Sequence, residues 1–341
     1  MENKYWARTQ MGLENILLEE IIENHTLKEY EKTHRNIIFS LNEVTQNTES
    51  DLLKLRVADD IYKFIGRCDN ISRKRESLDI LQNFFCREIV PKLKVIGSPI
   101  RPTASFLGKR NFSRYELEEI INSQLTSNSS INILSNKRKD AWVQGERRLR
   151  VHIENADAFF GISLMDKPIH RRKWRINSYE GQLHPSVAAA MVRIANFSPF
   201  DNIVDPFCGS ATVLIECGLT DRSLNLYGYD ISKEAIKIAK QNSKAAKLKI
   251  ALHSNEFKCT AFNDNYNIIS NPPWGEKHEI QSKELGHFYS NLSLIMTFAK
   301  KSILCVPQHY TEKIKLLFNN TKVITTTRIK GKIVNLIVIE N

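Results

Sequence analysis

Asn271-Pro272-Pro273-Trp274-Gly275 is the segment of this sequence whose residue types best match a specific piece of chemistry. An exocyclic amine on an aromatic base is a poor nucleophile, because its lone pair is delocalised into the ring. It becomes reactive when its hydrogens are held by acceptors and its geometry moves toward tetrahedral. The Asn271 side-chain oxygen and the Pro272 backbone carbonyl are two such acceptors, and Pro272 and Pro273 stiffen the loop that presents them. Trp274 offers a stacking face for a base taken out of its stack, a contact of about 1 to 3 kcal/mol. No strong base is required, since the proton can leave after the amine has reacted. A Pro-rich loop around a core Trp is the competing reading of this tetrapeptide taken alone.

A second segment, Asp205-Pro206-Phe207-Cys208-Gly209-Ser210-Ala211-Thr212, falls where a strand over 203–205 gives way to a helix from Ala211. In an open α/β sheet that junction opens on the crevice where ligands bind. Small residues let backbone approach a ligand, and the helix start offers unpaired amides to a carboxylate. The spacing is neither the GxGxxG of a dinucleotide fold nor a P-loop. Asp230 ends the next strand, some 20 residues on, where an acidic side chain can accept both hydroxyls of a ribose. Alone it would serve equally as a helix cap. Loop and carboxylate together point to an adenosine-containing cofactor.

These three segments must be held at one edge of a sheet. The pattern from Gly181 onward supplies it: helix 186–195, strand 203–205, helix 211–217, strand 224–229, helix 233–247, strand 250–252 and strand 266–270. Strands alternating with crossover helices imply a parallel, doubly wound sheet. Residues 322–328 and 332–339 flank Ile329-Lys330-Gly331 as a hairpin. An antiparallel pair closing a parallel sheet fits the seven-stranded variant of the Rossmann-like domain.

Upstream, 5–8 and 36–41 read as strands, while 13–22 and 50–66 carry helical spacing, so residues 1–66 read as a small α+β domain. A second α+β set fills 67–165, with a helix over 78–89, the segments 91–96 and 131–134, and a strand over 149–153. A polar, basic linker over 166–180 follows. Basic clusters recur through this half: Arg73-Lys74-Arg75, Lys109-Arg110, Lys137-Arg138-Lys139, Arg147-Arg148-Leu149-Arg150 and His170-Arg171-Arg172-Lys173-Trp174-Arg175. Any one of them is an ordinary solvated turn. Several on one face would form a phosphate-binding surface.

The whole chain fits that partner. Its 341 residues exceed one domain's usual length, 42% hydrophobic and 26% charged residues suit a folded protein, and the net charge is +11. Such a balance favours a polyanion, because each neutralised phosphate releases counterions. No apolar run is long enough to span a bilayer, and the N-terminus lacks a signal peptide's pattern, so a cytoplasmic location is expected. The six cysteines are scattered without metal-type pairing and read as reduced thiols, and no metal is expected.

The residues also carry a family resemblance. Asp205 to Glu216, DPFCGSATVLIE, resembles the cofactor loop of guanine-N2 RNA methyltransferases, and NPPWG resembles their catalytic motif. Gly181 to Ala188, GQLHPSVA, is similar to the family's extra motif, which holds the methionine part of S-adenosylmethionine (SAM). Ser105 to Arg114, together with 160–164 and 170–172, resembles the RNA-binding THUMP domain of THUMP-containing tRNA guanine-N2 methyltransferases. This resemblance implies a ferredoxin-like domain over 1–66, a THUMP domain over 67–165 and a Rossmann-like SAM methyltransferase domain over 181–341. It implies SAM contacts from His184, Ser186, Asp205, Phe207, Cys208, Gly209, Ala211, Thr212, Asp230, Ile231, Asn255 and Asn271. Asn271, Pro272 and Trp274 would be catalytic, and a monomer acting on tRNA is expected. RNA contacts would come from Lys109, Arg110, Lys137, Arg138, Lys139, Arg147, Arg148, Arg171 and Arg172. Two departures stand out: Ala211 replaces a usual Gly, and the acid that meets the adenine amine has no match in His253-Ser254-Asn255-Glu256-Phe257. The same chemistry on ribosomal RNA, and an RNA-binding protein with a decayed catalytic domain, are the alternatives at this stage.

Overall fold

The computed structural model describes residues 3–127, 131–134, 143–258, 265–273 and 292–340. The chain divides into two compact units: Met1–Arg8 with Ile21–Ile169, and Thr9–Glu20 with His170–Asn341.

The first unit is built on seven strands: β1 (Lys4–Arg8), β2 (Leu27–Thr33), β3 (Asn36–Leu41), β4 (Asp60–Cys68), β5 (Ile100–Phe106), β6 (Arg147–Glu154) and β7 (Asp157–Ser163). They lie in the order β2-β3-β1-β4-β7-β6-β5. Only β5 and β6 run parallel. The helices Ser77–Phe84 and Arg114–Thr126 bury Leu81, Leu117, Ile121 and Leu125 in a core shared with Val151 and Phe160 of the sheet. Ser113 and Glu116 form a reciprocal capping box that starts the second of these helices.

Two expectations are corrected here. The helical reading of 50–66 holds only over Thr48–Leu52, and β4 begins at Asp60. β4 lies between β1 and β7, and Ile61, Tyr62 and Ile65 are all buried, so its apolar run mimics one side of a helix. The boundary drawn at residue 66 therefore falls inside a strand, and residues 1–66 and 67–165 contribute to one continuous sheet.

Arg148 is a further correction. It is only 5% exposed and donates to both carboxylate oxygens of Asp60, which also accepts from Tyr62 Oη at 2.6 Å. Arg147 donates to the Leu164 carbonyl, and Arg110 to the carbonyls of Ser72 and Asn155. The strands use these arginines internally, so Arg148 is not available to a phosphate.

The second unit holds β8 (Asn202–Asp205), β9 (Asn225–Tyr229), β10 (Ala251–His253), β11 (Asn267–Ser270), β12 (Lys301–Pro307), β13 (Lys322–Ile329) and β14 (Lys332–Glu340), in the order β10-β9-β8-β11-β12-β14-β13. Strands β8 to β12 pair in parallel, and β14 runs antiparallel to both β12 and β13. Lys330 and Gly331, at φ +49° and +87°, make the tight hairpin turn between the last two strands. The doubly wound reading holds, with β12 added as a strand buried over Ser302–Pro307. Residues 9–20 belong to this unit. Thr325 Oγ1 donates to the Gly12 carbonyl, and a Cβ at Gly12 would lie 1.9 Å from the Thr326 carbonyl oxygen. No helix among the described residues is long and apolar enough to cross a membrane.

Asp60→Ala strands a buried guanidinium, so it should cost about 3 to 5 kcal/mol in chemical unfolding. Asp51→Ala, at the exposed pair with Lys54, should stay within about 0.5 kcal/mol. Equal effects for the two would refute the assignment of Arg148.

Candidate active site

The strand order reverses between β8 and β11, and a crevice opens there beyond their carboxyl ends. Asp205 ends β8 and Ser270 ends β11. Across the switch point Ser270 Oγ donates to Asp205 Oδ1 at 2.6 Å, and the Phe207 amide donates to the same oxygen at 3.0 Å. Both side chains are buried. Burial pushes the Asp205 carboxyl up to about 7, and nearby Asp230 adds to the rise while the hydrogen bonds from Ser270 and Phe207 oppose it.

The loop after Asp205 is tied to β9 by its backbone. The Cys208 amide donates to the Tyr229 carbonyl at 2.9 Å, and the Gly209 amide to Asp230 Oδ2 at 2.9 Å. Asp230 Oδ1 accepts from the Ser232 amide at 2.8 Å. Two amides thus fix this carboxylate and leave lone pairs for a further donor. Gly209 and Ala211 both lie at positive φ, +52° and +60°, and Ala211 caps the helix Thr212–Thr220. That conformation costs a non-glycine residue about 1 to 2 kcal/mol, which explains why glycine suits the position. Ala211 accepts the strain with its methyl fully buried, and the turn keeps its shape.

A cavity of about 900 Å³ lies over this loop. Such a volume suits a ligand of nucleoside-conjugate size. Asp205, Phe207, Cys208, Gly209, Thr212, Asp230, Ile231 and Asn271 line it. His184, Ser186, Ala211 and Asn255 do not. His184 instead occupies the N-cap position of the helix Pro185–Ala195, its ring tilted 36° to that of His170 at 4.9 Å, and Ser186 is buried within that helix. Asn255 is exposed and donates to the Glu256 carbonyl. The wall is completed by Gln182 and Leu183 on one side and by Glu256, Phe257 and Lys258 on another.

Asn271 reaches this cavity directly after β11, beside Pro273, with Pro272 buried. Its Oδ1 is buried and has no hydrogen-bond partner among the described residues. A buried acceptor left unpaired costs free energy, and functional sites are where such groups persist. Here the residue that carries this acceptor also lines a ligand-sized space. Trp274, and the Lys137, Arg138 and Lys139 cluster, lie outside the described residues.

The basic stretch from His170 to Arg175, within this unit, proves to be bracing. Arg172 Nε donates to the fully buried Glu216 at 3.0 Å, and Arg175 donates to the Leu183 carbonyl and to Thr212 Oγ1. Trp174 is buried. Arg172, then, is a structural residue, which corrects its expected RNA contact, whereas Arg171 and Lys109 are exposed. Ser270 and Arg175 were not anticipated, because a serine ending a strand and an arginine in a basic run show no distinguishing spacing.

The raised Asp205 value has a measurable sign. In the folded chain the carboxyl keeps its proton up to about pH 7, whereas unfolded it loses it near 3.8. Its contribution to stability is therefore full below pH 3.8 and is lost as pH rises toward 7, by an amount on the order of 4 kcal/mol. Asp205→Asn should remove this pH-dependent loss, visible as a divergence between the urea-unfolding curves of parent and variant from pH 4.5 to 7.5. Parallel curves would show that Asp205 ionises normally.

Comparison with known proteins follows this geometry. Residues 172–336 match the family model described as an RMKL-like methyltransferase domain. The tRNA (guanine(6)-N2)-methyltransferase of Thermus thermophilus is 26% identical over 277 residues, covering 79% of this chain and 78% of that one. The chain spans between half and two thirds of the length of two other curated relatives. The crystal structure of TrmN from Thermus thermophilus superposes at a TM-score of 0.78 with 22% identity, covering 99% of both chains. That of SMU.472 complexed with SAH does so at 0.78 with 16% identity, covering 100% of this chain and 99% of that one. The second unit has the class I α/β methyltransferase fold, and the chain is similar over residues 172–336 to the RMKL-like methyltransferase domain family.

Proposed function

We propose that this protein is a SAM-dependent methyltransferase that modifies the exocyclic N2 amine of a guanine in tRNA. The observation that carries the reading is the buried Asn271 Oδ1 directly after β11, unpaired among the described residues and carried by a residue that lines the cavity shaped by the Asp205 loop. The curated Thermus thermophilus relative is named for that amine in tRNA, and the neighbour bound to SAH supports the choice of cofactor.

The residues fit SAM. Asp230 holds lone pairs toward the cavity for a ribose diol, while its own position is set by the amides of Gly209 and Ser232. A Cβ at Gly209 would meet only Tyr179, at 3.9 Å, so backbone can approach a ligand closely there. Phe257 and Ile231 offer apolar walls to an adenine. When bound, SAM supplies a methyl group made electrophilic by its sulfonium.

The chain's own residues prepare the acceptor. Asn271 Oδ1 takes a hydrogen bond from the guanine amine, and the Pro272 carbonyl takes the second. Drawing both hydrogens to one side pulls the nitrogen lone pair out of conjugation and aims it at the methyl. The leaving proton passes from the alkylated nitrogen to solvent without a dedicated base. The first unit is read as the RNA-holding module, with THUMP and ferredoxin-like parts sharing its single sheet. We further place the enzyme in the cytoplasm, acting as a monomer and without a resident metal.

Asn271→Ala should lower the methylation rate of unmodified tRNA by at least a hundredfold, about 3 kcal/mol of transition-state stabilisation. SAM affinity, read by calorimetry, should change little. Full turnover in this variant would refute the role of Asn271, and a folded parent that binds no SAM would refute the reading as a whole.

A further inference from the structure

A run of positive charge with no ion pair among the described residues lies outside the cavity lining, on the helix Lys233–Ala245 and the turn that follows it. Lys237, Lys240, Lys244 and Lys247 succeed one another at steps of three, four and three residues, so they line one side of the helix. All are exposed, as is Lys249 beyond them. The helix's single carboxylate, Glu234, sits in its first turn, where it complements the helix dipole.

These lysines differ from others in the chain. Lys4, Lys54, Lys301 and Lys315 each pair with an acid. Among the described residues no lysine of the stripe forms an ion pair, and like charges one turn apart repel. The stripe also borders a recess. A groove of about 830 Å³ runs between this helix and the end of the sheet at β9 and β10, lined by Arg222, Lys240, Lys244, Lys247 and Lys249. No carboxylate lines it. Its floor is apolar, made by Leu226, Tyr227, Leu248, Ile250 and Leu252.

We infer that this groove is a second RNA contact, on the catalytic unit itself, that takes a single-stranded stretch of the substrate. Phosphates meet the lysines and release counterions, while bases lie on the apolar floor beside Tyr227. A bare polyanion would need the charges alone, and a flat membrane surface could not enter a recess. The inference rests on the reading of RNA as substrate, and it adds a surface that none of the sequence's basic clusters marked.

The test is the triple variant Lys240→Gln, Lys244→Gln, Lys247→Gln, compared with the parent for binding an unmodified tRNA transcript as salt is varied. Loss of three phosphate contacts should weaken binding at least tenfold at about 0.1 M salt and make the slope of log K against log salt shallower by about 2. SAM affinity should be unchanged, and thermal stability equal or higher because repulsion is relieved. The corresponding Lys→Arg variant should restore binding. An unaltered slope and affinity in a parent that does bind tRNA would overturn this surface and leave the proposed function standing. A parent that binds SAM but no RNA at any salt would overturn both.

Discussion

The hydrogen bond from Ser270 to Asp205 joins the two halves of the catalytic site. It links the ends of β8 and β11, the parallel neighbours between which the strand order reverses. One strand end carries the cofactor loop, and the other carries the loop with Asn271. The bond between them, 2.6 Å from oxygen to oxygen and fully buried, fixes one loop against the other, and in the proposed reaction those loops place the methyl donor and the amine. Reactions that depend on placement rather than on a strong acid or base gain most from such rigidity.

That arrangement has an energetic cost which the rest of the domain offsets. Asp205 is a carboxylate in a fully buried place, with Asp230 close enough to disfavour its charge further. Backbone amides answer this, from Phe207 to Asp205 and from Gly209 and Ser232 to Asp230. The strained left-handed backbone at Gly209 and Ala211 turns the Gly209 amide toward Asp230. A buried Asn271 oxygen is left over, and its unmet hydrogen bond is the feature a substrate amine can complete.

The first unit handles charge in another way. Several arginines that look, in sequence, like a phosphate-binding surface are spent on the fold. Arg148 neutralises Asp60, and Arg147 and Arg110 satisfy backbone carbonyls. In the second unit Arg172 meets Glu216 in the same fashion. Guanidinium groups suit these places because their several donors can satisfy more than one acceptor at once. Lysines, with compact and strongly hydrated heads, remain on the surface, and the unpaired set along Lys237–Lys247 is the clearest example.

Much of the second unit was legible in the amino-acid order. Alternating strand and helix patterns, the Asp205 loop, Asp230 at the next strand end and the Asn271 motif are local signals, and each is set by residues within a few positions of one another. The hairpin at Lys330-Gly331 was readable for the same reason. Where the sequence misled, the deciding facts were distant. β4 looks helical until β1 and β7 pair along both its edges, and no spacing reveals that a residue as remote as Asp60 neutralises Arg148. Likewise Ser270 gains its role only when β11 is laid beside β8, and Asn255 loses its expected one because its side chain turns to the neighbouring carbonyl. The order of residues by itself determined which chemistry the chain can attempt, since that resides in the types and spacing of short motifs. Only the tertiary structure decided which charges face a partner and which are consumed inside, because burial and pairing arise from residues far apart in the chain.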